Sequence, residues 1–469
     1  MDNRPSEPSA TRSDPGAQGP TIDVREEIAN APISRYHIFL AVLVGLVVFF
    51  DGYDTFNPAY VIHYVAKPWH LVPSQAGLLV SSGLIGFMIG SLLQGKFSDR
   101  HGRRATLLGA LWIATIFSLA TAAFANSFWT FCGFRLLTGI GLGTLLPLGV
   151  TYVNEYAPRR LANTFSMWGW ALGWSAGGVV AAAIGVFLTP TLGWQALYYV
   201  ASLSILLVVI CHFALPESLQ YAAMRGKWQE IAATLSRINP SHAARYAAAG
   251  GRFVFPEPSD RPASVSLLLS ERYRRTTVSV WASAFFILFG IWGLTGWIPT
   301  AMMQRGERFA TSFGFGALIQ ATAFVGALVG GYFVDRGVKD RAAMSVWWVC
   351  GAASVGMLAA INLHALNVLG VAAAGFFIMG GQNILNNFTA ASYDTEVRGT
   401  AVGMMLGVGR AGGILGPFIT GLLQQHIAGT VGLFGAIAFA ALAGAGAITF
   451  ARPRPSRDVL QPASAIRTS

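Results

Sequence analysis

Twelve stretches of mostly apolar residues follow one another along this 469-residue chain. Each is long enough to cross a bilayer as one helix, for which about 20 residues are needed. The stretches begin near residues 36, 75, 105, 128, 163, 194, 275, 311, 343, 366, 399 and 428. Charged residues make up only 11% of the chain, whereas roughly a quarter of the residues of soluble domains are charged. We therefore predict an all-α integral membrane protein with twelve transmembrane helices.

The net charge of +11 could suggest a nucleic-acid partner, but the cationic residues are sorted by side of the membrane. If the N-terminus is cytoplasmic, almost all of the 32 Lys and Arg residues fall in cytoplasmic segments. The outer loops contain only Lys67, Arg305 and Arg308. This asymmetry follows the positive-inside rule. It predicts a multi-pass protein of a bacterial-type inner membrane, with both termini cytoplasmic. The expected partner is the lipid bilayer, with no nucleic acid, and we expect a monomer.

A long polar segment separates six predicted helices from the other six. We assign residues 216–274 to a cytoplasmic linker, 36–215 to an N-terminal six-helix bundle and 275–450 to a C-terminal one. Residues 1–35 are rich in Pro, Ser, Asp and Arg and lack the apolar core of a signal peptide, so they are predicted to be a disordered cytoplasmic tail. Residues 451–469 are predicted to be a second cytoplasmic tail.

Two short motifs occur once in each half. The segments Gly95–Arg100 and Gly331–Arg336 both consist of Gly, three residues, Asp and Arg, and both lie between the second and third helix of their half. Glu155–Arg160 and Asp394–Arg398, similar in charge pattern, follow the fourth helix of each half. Such repeats across a central loop are typical of transporters whose substrate site lies near the membrane midplane, between the halves.

These motifs carry a resemblance to a known family. The run Gly95–Arg104 resembles the loop signature of the major facilitator superfamily. Within it, Asp51–Asp54, Arg398–Gly403 and Trp297–Thr300 resemble signatures of the aromatic acid:proton symporter family. The resemblance implies two pseudo-symmetric six-helix bundles, alternating access, and inward transport of aromatic carboxylates with protons. After the acidic motif the chain departs from the family at Thr55–Pro58, which leaves the exact carboxylate open.

The resemblance also implies a gate on the cytoplasmic side, closed by ion pairs. Its candidate residues are charged and lie at helix ends: Asp99, Arg100, Arg103, Arg104, Glu155, Asp335 and Arg398. Positive charges in this loop also help to set the orientation of the protein in the membrane, and the two roles are compatible.

Asp51 and Asp54 lie three residues apart and share one face of the first helix. A charged residue at the centre of a membrane helix costs roughly 2.5 to 3.5 kcal/mol, so each is a functional candidate. Two carboxylates this close repel each other, and we expect one of them to bind and release a proton near neutral pH. Counting residues along the helices places Asp51 opposite Arg135 of the fourth helix. Arg135 either releases its aspartate when the proton binds or forms a permanent, structural ion pair.

Arg410 lies near the middle of the eleventh helix, where its guanidinium is suited to hold a substrate carboxylate by two hydrogen bonds. Alternatively, it pairs with an acidic residue of another helix. Gln382, Asn383 and Asn386 form a polar patch in the tenth helix. Buried amides need partners, which either a polar substrate cavity or hydrogen bonds between helices would supply.

Three tryptophans are candidates for stacking on an aromatic substrate. Trp170 and Trp174 lie one turn apart in the fifth helix, and Trp292 lies in the seventh. Tryptophan is also common in helix packing and at membrane interfaces, so packing remains the alternative for each of them.

Together these features predict a proton-coupled secondary transporter that imports a small organic carboxylate, an aromatic acid of the benzoate or hydroxybenzoate type. The alternative is a proton-driven antiporter that exports a drug or metabolite. That class usually carries Gly-Pro-x-x-Gly-Gly in the fifth helix, whereas Ser175–Gly178 lacks the proline. The linker contains no nucleotide-binding loop, metal-ligand cluster or nucleophile motif. We therefore expect no enzymatic activity, no metal and no cofactor other than the coupling protons.

Overall fold

Long apolar helices make up most of the protein. The computed structural model describes residues 21–158, 160, 173–255, 265–336, 340–427 and 429–452. Its membrane helices are α1 (Arg35–Val65), α2 (Pro73–His101), α3 (Arg103–Phe124), α4 (Phe128–Tyr156), α5 (Gly173–Phe187), α6 (Gln195–Ala214), α7 (Arg274–Gln304), α8 (Phe309–Asp335), α9 (Asp340–Ala360), α10 (His364–Ser392), α11 (Thr395–His426) and α12 (Thr430–Thr449).

Among the described residues, 11 helices are long and apolar enough to cross a membrane. The other one, α5, is apolar but only 15 residues long as described, and residues 161–172, at the start of the predicted fifth span, lie outside the described part. The all-α membrane fold predicted from the sequence is confirmed. Two of the spans are irregular: α6 is interrupted by a turn at Leu203, and α10 contains a π-helical turn at Gly375–Met379.

Local sequence explains where several helices begin and end. Ser34 caps α1 by accepting a hydrogen bond from the backbone N–H of His37, and Pro73 opens α2 at the first helical position, where its missing N–H costs nothing. At the end of α2 the chain turns sharply through Gly102, which has a φ of 95°. A Cβ there would lie 2.6 Å from Oε2 of Glu217. Both the turn and this close approach therefore need glycine.

Short elements connect the two halves. After α6 come the helices Leu219–Met224, Trp228–Ile238, Ala243–Ala248 and Val265–Leu268, the 3₁₀ turn Pro240–His242 and the strand Phe253–Val254. A further short helix, Thr189–Leu192, joins α5 to α6. We call the end of the bundle that carries residues 216–273 the linker side, and the opposite end the far side.

The segment before α1 differs from the disordered tail predicted for residues 1–35. Its strand Ile22–Asp23 pairs in parallel with Phe253–Val254, and the helix Val24–Asn30 follows directly. Glu27 in that helix forms an ion pair of 2.7 Å with Arg245. Ile22 and Val24 are fully buried. The polar composition of the tail concealed these few apolar residues, whose partners lie more than two hundred positions further along the chain.

The halves meet most closely on the far side, where α2 packs on α11, α5 on α8 and α1 on α7. Glycine brings the α2 and α11 backbones together: a Cβ on Gly77 would lie 2.1 Å from the carbonyl oxygen of Pro417. Ser81 adds a hydrogen bond of 2.6 Å to the carbonyl oxygen of Ile414. These contacts close the far side of the bundle between the two halves.

Replacing Gly77 by valine should prevent this closure, because the added side chain has no room against the α11 backbone. We expect a cysteine placed at Ser175, inside the bundle, to become more reactive towards a membrane-impermeant thiol reagent applied from the far side. The measurement is the labelling rate in protein whose native cysteines are replaced by alanine. Gly109→Val is the matched control, since a Cβ at Gly109 meets nothing within 4 Å. Equal labelling of both variants would contradict the conclusion that the contacts between α2 and α11 close the far side.

Candidate functional site

A cavity of about 190 Å³ lies between the two halves. Helices α2, α4 and α5 of the first half and α7, α8, α10 and α11 of the second contribute to its wall. Of the residues predicted to bind substrate, the following line it: Trp174, Trp292, Gln382, Asn383, Asn386 and Arg410. The remaining candidate, Trp170, lies outside the described residues. The sequence predicted each of these residues separately. The structure shows that they come from four helices and line one cavity.

Arg410 reaches the cavity from α11. Its guanidinium carbon lies 4.8 Å from the centroid of the Phe87 ring, which belongs to the other half. Within the described part of the chain, Arg410 forms no ion pair with a carboxylate. Its charge nevertheless interacts electrostatically with Asp51. A cation held over an aromatic face, with its donors uncommitted to an acid, is suited to receive an anionic group from a ligand.

Phe87, Trp174 and Trp292 line the cavity near Arg410, and the buried ring of Phe56 packs against both tryptophans. Phe56 of α1 and Trp292 of α7 stack across the two halves, with ring centroids 5.9 Å apart and an angle of 23°. Trp174 meets Phe56 edge-on at 5.7 Å and Phe87 at 6.4 Å. Sequence reasoning missed Phe56 and Phe87, because single phenylalanines in apolar helices carry no signal. The arrangement provides flat apolar surfaces beside a fixed positive charge.

The amides of α10 line the same cavity. Nε2 of Gln382 donates a hydrogen bond of 3.0 Å to Oδ1 of Asn386, one turn away. The π-helical turn lies just before them, and such turns are rare and frequent at functional sites. A Cβ on Gly380, next to that turn, would lie 2.6 Å from the backbone of Gly326 in α8. The irregular turn and the close contact with α8 together determine where the amides point.

The acidic pair of α1 is arranged differently from the predicted Asp51 to Arg135 contact. Arg135 pairs with Asp54 instead: its Nη1 lies 2.7 Å from Oδ1 of Asp54, and its Nη2 donates to the Asp54 carbonyl oxygen at 3.1 Å. Ser118 donates to the second carboxylate oxygen. Both charged residues are almost completely buried. Counting residues failed here because the two aspartates differ in depth by only about 4.5 Å, less than the reach of an arginine side chain.

Among the described residues, Asp51 has no counter-ion in direct contact. It is fully buried, and its Oδ1 accepts a hydrogen bond of 3.4 Å from Thr55. Its Oδ2 has no hydrogen-bond partner among the described residues. Asp51 interacts electrostatically with Asp54 and with Arg410. A proton on Oδ2 would remove a buried charge that has no direct partner among the described residues.

Part of the predicted gate assembles on the linker side. Arg103 forms an ion pair of 2.6 Å with Glu155, and the backbone N–H of Arg104 donates to Glu217 at 3.0 Å. Ser218 donates a hydrogen bond of 2.7 Å to Glu155. Glu217 and Ser218 were missed, because they lie in the polar linker and only the turn at Gly102 brings the α2–α3 loop to them.

The other gate candidates stand apart from this cluster. The side chains of Asp99 and Arg100 are exposed to solvent, although the Arg100 carbonyl oxygen accepts a hydrogen bond of 3.3 Å from Tyr221. Arg398 is exposed at the start of α11, in the other half. Asp335 is the last residue of α8, and its side chain lies outside the described residues. A gate role stays a prediction for these four positions, as it does for Arg103, Arg104 and Glu155.

Known proteins resemble this chain along most of its length. The model of the Major Facilitator Superfamily matches residues 42–417. A gallate transporter of Pseudomonas putida is 36% identical over 437 residues, covering 91% of this chain and 94% of the relative. A 4-hydroxybenzoate transporter of Acinetobacter baylyi is 31% identical, covering 89% and 92%. Among solved structures, the inward-open xylose transporter XylE from E. coli superimposes with a TM-score of 0.72 at 16% identity, covering 90% and 97%.

Breaking the buried ion pair should be costly. In Arg135→Met the Asp54 carboxylate stays buried without its partner, which typically costs about 3 to 5 kcal/mol. The double variant Asp54→Asn with Arg135→Met should recover part of that loss, because it buries no charge. Thermal unfolding of the purified protein in detergent measures both effects.

The control is Lys227→Met, which removes an exposed ion pair with Glu230 and should cost at most about 1 kcal/mol. If Arg135→Met melts at the wild-type temperature, the pair is not the stabilising element described above.

Proposed function

This chain belongs to the major facilitator superfamily, and from that premise we propose that it imports a small aromatic carboxylate together with protons by alternating access. It is a multi-pass membrane transporter and not an enzyme. Its relatives named above are transporters of gallate and of 4-hydroxybenzoate, which supports an aromatic acid of the benzoate or hydroxybenzoate type as substrate.

The observation that carries the proposal is the uncommitted guanidinium of Arg410 in an aromatic cavity. A carboxylate would bind its two parallel N–H donors, and the attached ring would lie among Phe87, Trp174 and Trp292, which line the cavity. Because Arg410 belongs to one half and Phe87 to the other, a bound aromatic acid would contact both halves at once. Such a ligand would favour the state in which the two halves approach each other around it.

Proton coupling has an energetic reason. Moving one negative charge into a cell that is negative inside costs about 2.3 kcal/mol per 100 mV. A co-transported proton removes that cost and adds the driving force of the pH gradient. Asp51 is the candidate carrier, because it is buried, has a free carboxylate oxygen and lies within the field of Arg410.

Substrate and proton would help each other to bind. A positive charge such as that of Arg410 favours the ionised form of a nearby carboxylate. A carboxylate bound to Arg410 neutralises that charge, so a proton then binds more readily to Asp51. By linkage, protonated Asp51 competes less for Arg410 and strengthens binding of the carboxylate by the same factor. Asp54 stays paired with Arg135 throughout and holds the helices in place.

We further propose that the protein resides as a monomer in a bacterial inner membrane, with the linker side in the cytoplasm. The support is the distribution of Lys and Arg, which are concentrated in the linker and the loops on its side.

Uptake of radiolabelled carboxylates by cells that express the protein tests the substrate proposal. We expect aromatic acids to accumulate above the empty-vector level and aliphatic acids not to. Arg410→Met should weaken binding of the aromatic acid at least about thirtyfold, the effect of truncating one partner of a buried charge pair. Arg308→Met, at an exposed arginine on the far side, is the control. Normal uptake by Arg410→Met would refute a role in carboxylate binding.

Asp51→Asn tests the coupling. The variant should lose uptake driven by an imposed pH gradient, because its amide cannot carry a proton. It should retain exchange of labelled for unlabelled substrate across proteoliposomes, which needs no net proton movement. In wild-type cells a protonophore should abolish accumulation. Accumulation by Asp51→Asn that still collapses with a protonophore would assign the proton to another residue.

A further inference from the structure

Two glutamine side chains at the cavity have amide oxygens without a partner. Gln320 of α8 is only 2% exposed and lines the cavity, and its Oε1 accepts no hydrogen bond from the described residues. Gln382 of α10 uses its Nε2 to donate to Asn386, while its Oε1 is likewise without a partner. Gln320 was not among the substrate-binding residues predicted from the sequence.

Such atoms need an explanation, because buried polar groups are almost always hydrogen-bonded. An unpaired buried oxygen costs about as much as a lost hydrogen bond. Both glutamines line the same cavity, so one ligand could satisfy both oxygens. The unpaired oxygen of Gln424 differs in this respect, since that residue lines a separate cavity at the far side, with Gln304 and Arg305.

Gln320 lines the same cavity as Arg410, from another helix and at a similar depth in the membrane. Each residue lies 15 positions from the linker-side end of its helix, Asp335 for α8 and Thr395 for α11, which corresponds to about 22 Å for both. Their depths in the membrane therefore match. A Cβ on Gly178 of α5 would lie 3.0 Å from Nε2 of Gln320, so the amide is held against a helix surface that only glycine leaves open.

An unpaired amide oxygen requires a particular kind of group on its ligand. It accepts a hydrogen bond, so its ligand must present an O–H or N–H group. A benzoate anion has none, since its carboxylate only accepts and its ring carries only C–H groups. A ring hydroxyl both donates and accepts, and it therefore pairs with either atom of a glutamine amide.

We infer that Gln320 and Gln382 form a subsite for ring hydroxyl groups, through which the transporter selects hydroxylated aromatic acids over unsubstituted ones. This inference rests on the proposed function, because it takes Arg410 as the site of the carboxylate. Unsubstituted benzoate would leave both oxygens unpaired. Selectivity then comes from that penalty as much as from the bonds that the hydroxyl groups make.

Binding to the purified full-length protein tests the subsite. Trp174 and Trp292 line the cavity, so quenching of tryptophan fluorescence reports occupancy. The probes are benzoate, 4-hydroxybenzoate and 3,4,5-trihydroxybenzoate. We expect at least one hydroxylated acid to bind about tenfold or more tightly than benzoate, the effect of one buried polar group left unpaired.

Gln320→Met and Gln382→Met remove the amide at similar volume. Each should reduce the preference for the hydroxylated acid while leaving the affinity for benzoate within about twofold, whereas the control Gln424→Met should change neither. Equal binding of benzoate and both hydroxylated acids by the wild-type protein would overturn the inference and leave the proposed function intact. An equal loss of affinity for all three acids in both glutamine variants would also overturn the inference and leave the proposed function intact. If none of the acids binds to the wild-type protein, the proposed function itself fails.

Discussion

The arrangement of charge in the apolar interior depends on one buried ion pair, between Asp54 and Arg135. An arginine or aspartate left without its partner in this position typically costs about 3 to 5 kcal/mol. Because the guanidinium also binds the Asp54 carbonyl oxygen, and Ser118 donates to the carboxylate, the pair is hydrogen-bonded on both sides. This leaves Asp51, one turn away, as an acid without a direct counter-ion. The two aspartates look alike in the sequence but have different surroundings in the structure.

Glycine residues allow the tryptophans of the site to pack closely against neighbouring helices. A Cβ on Gly413 would lie 2.6 Å from the Trp292 ring, and one on Gly52 would lie 2.5 Å from the Trp174 carbonyl oxygen. Without side chains at these positions, each tryptophan lies directly against a neighbouring helix of its own half. These glycines thus lie where an aromatic residue and the backbone of another residue are in close contact.

Sequence reasoning succeeded where a property depends on one helix and failed where it depends on how two helices are rotated. The spans, the central depth of Arg410 and the polar face of α10 follow from composition and helical period. The partner of Arg135 does not, because depth alone cannot separate residues one turn apart. The direction of Gln382 and Asn386 depends on the π-helical turn at Gly375–Met379, which adds a residue to the turn and rotates all that follows. Gln320 gave no signal, since a single glutamine in an apolar helix is as well explained by packing between helices.

The pairing of Ile22–Asp23 with Phe253–Val254 has a consequence for the order in which the protein is made. The strand near the start of the chain cannot pair until the ribosome has passed residue 254, after the sixth helix has been synthesised. Until then Ile22 and Asp23 lack their strand partners. The first half therefore reaches its final form only when the connection to the second is already being translated, so completion of one half coincides with the start of the next.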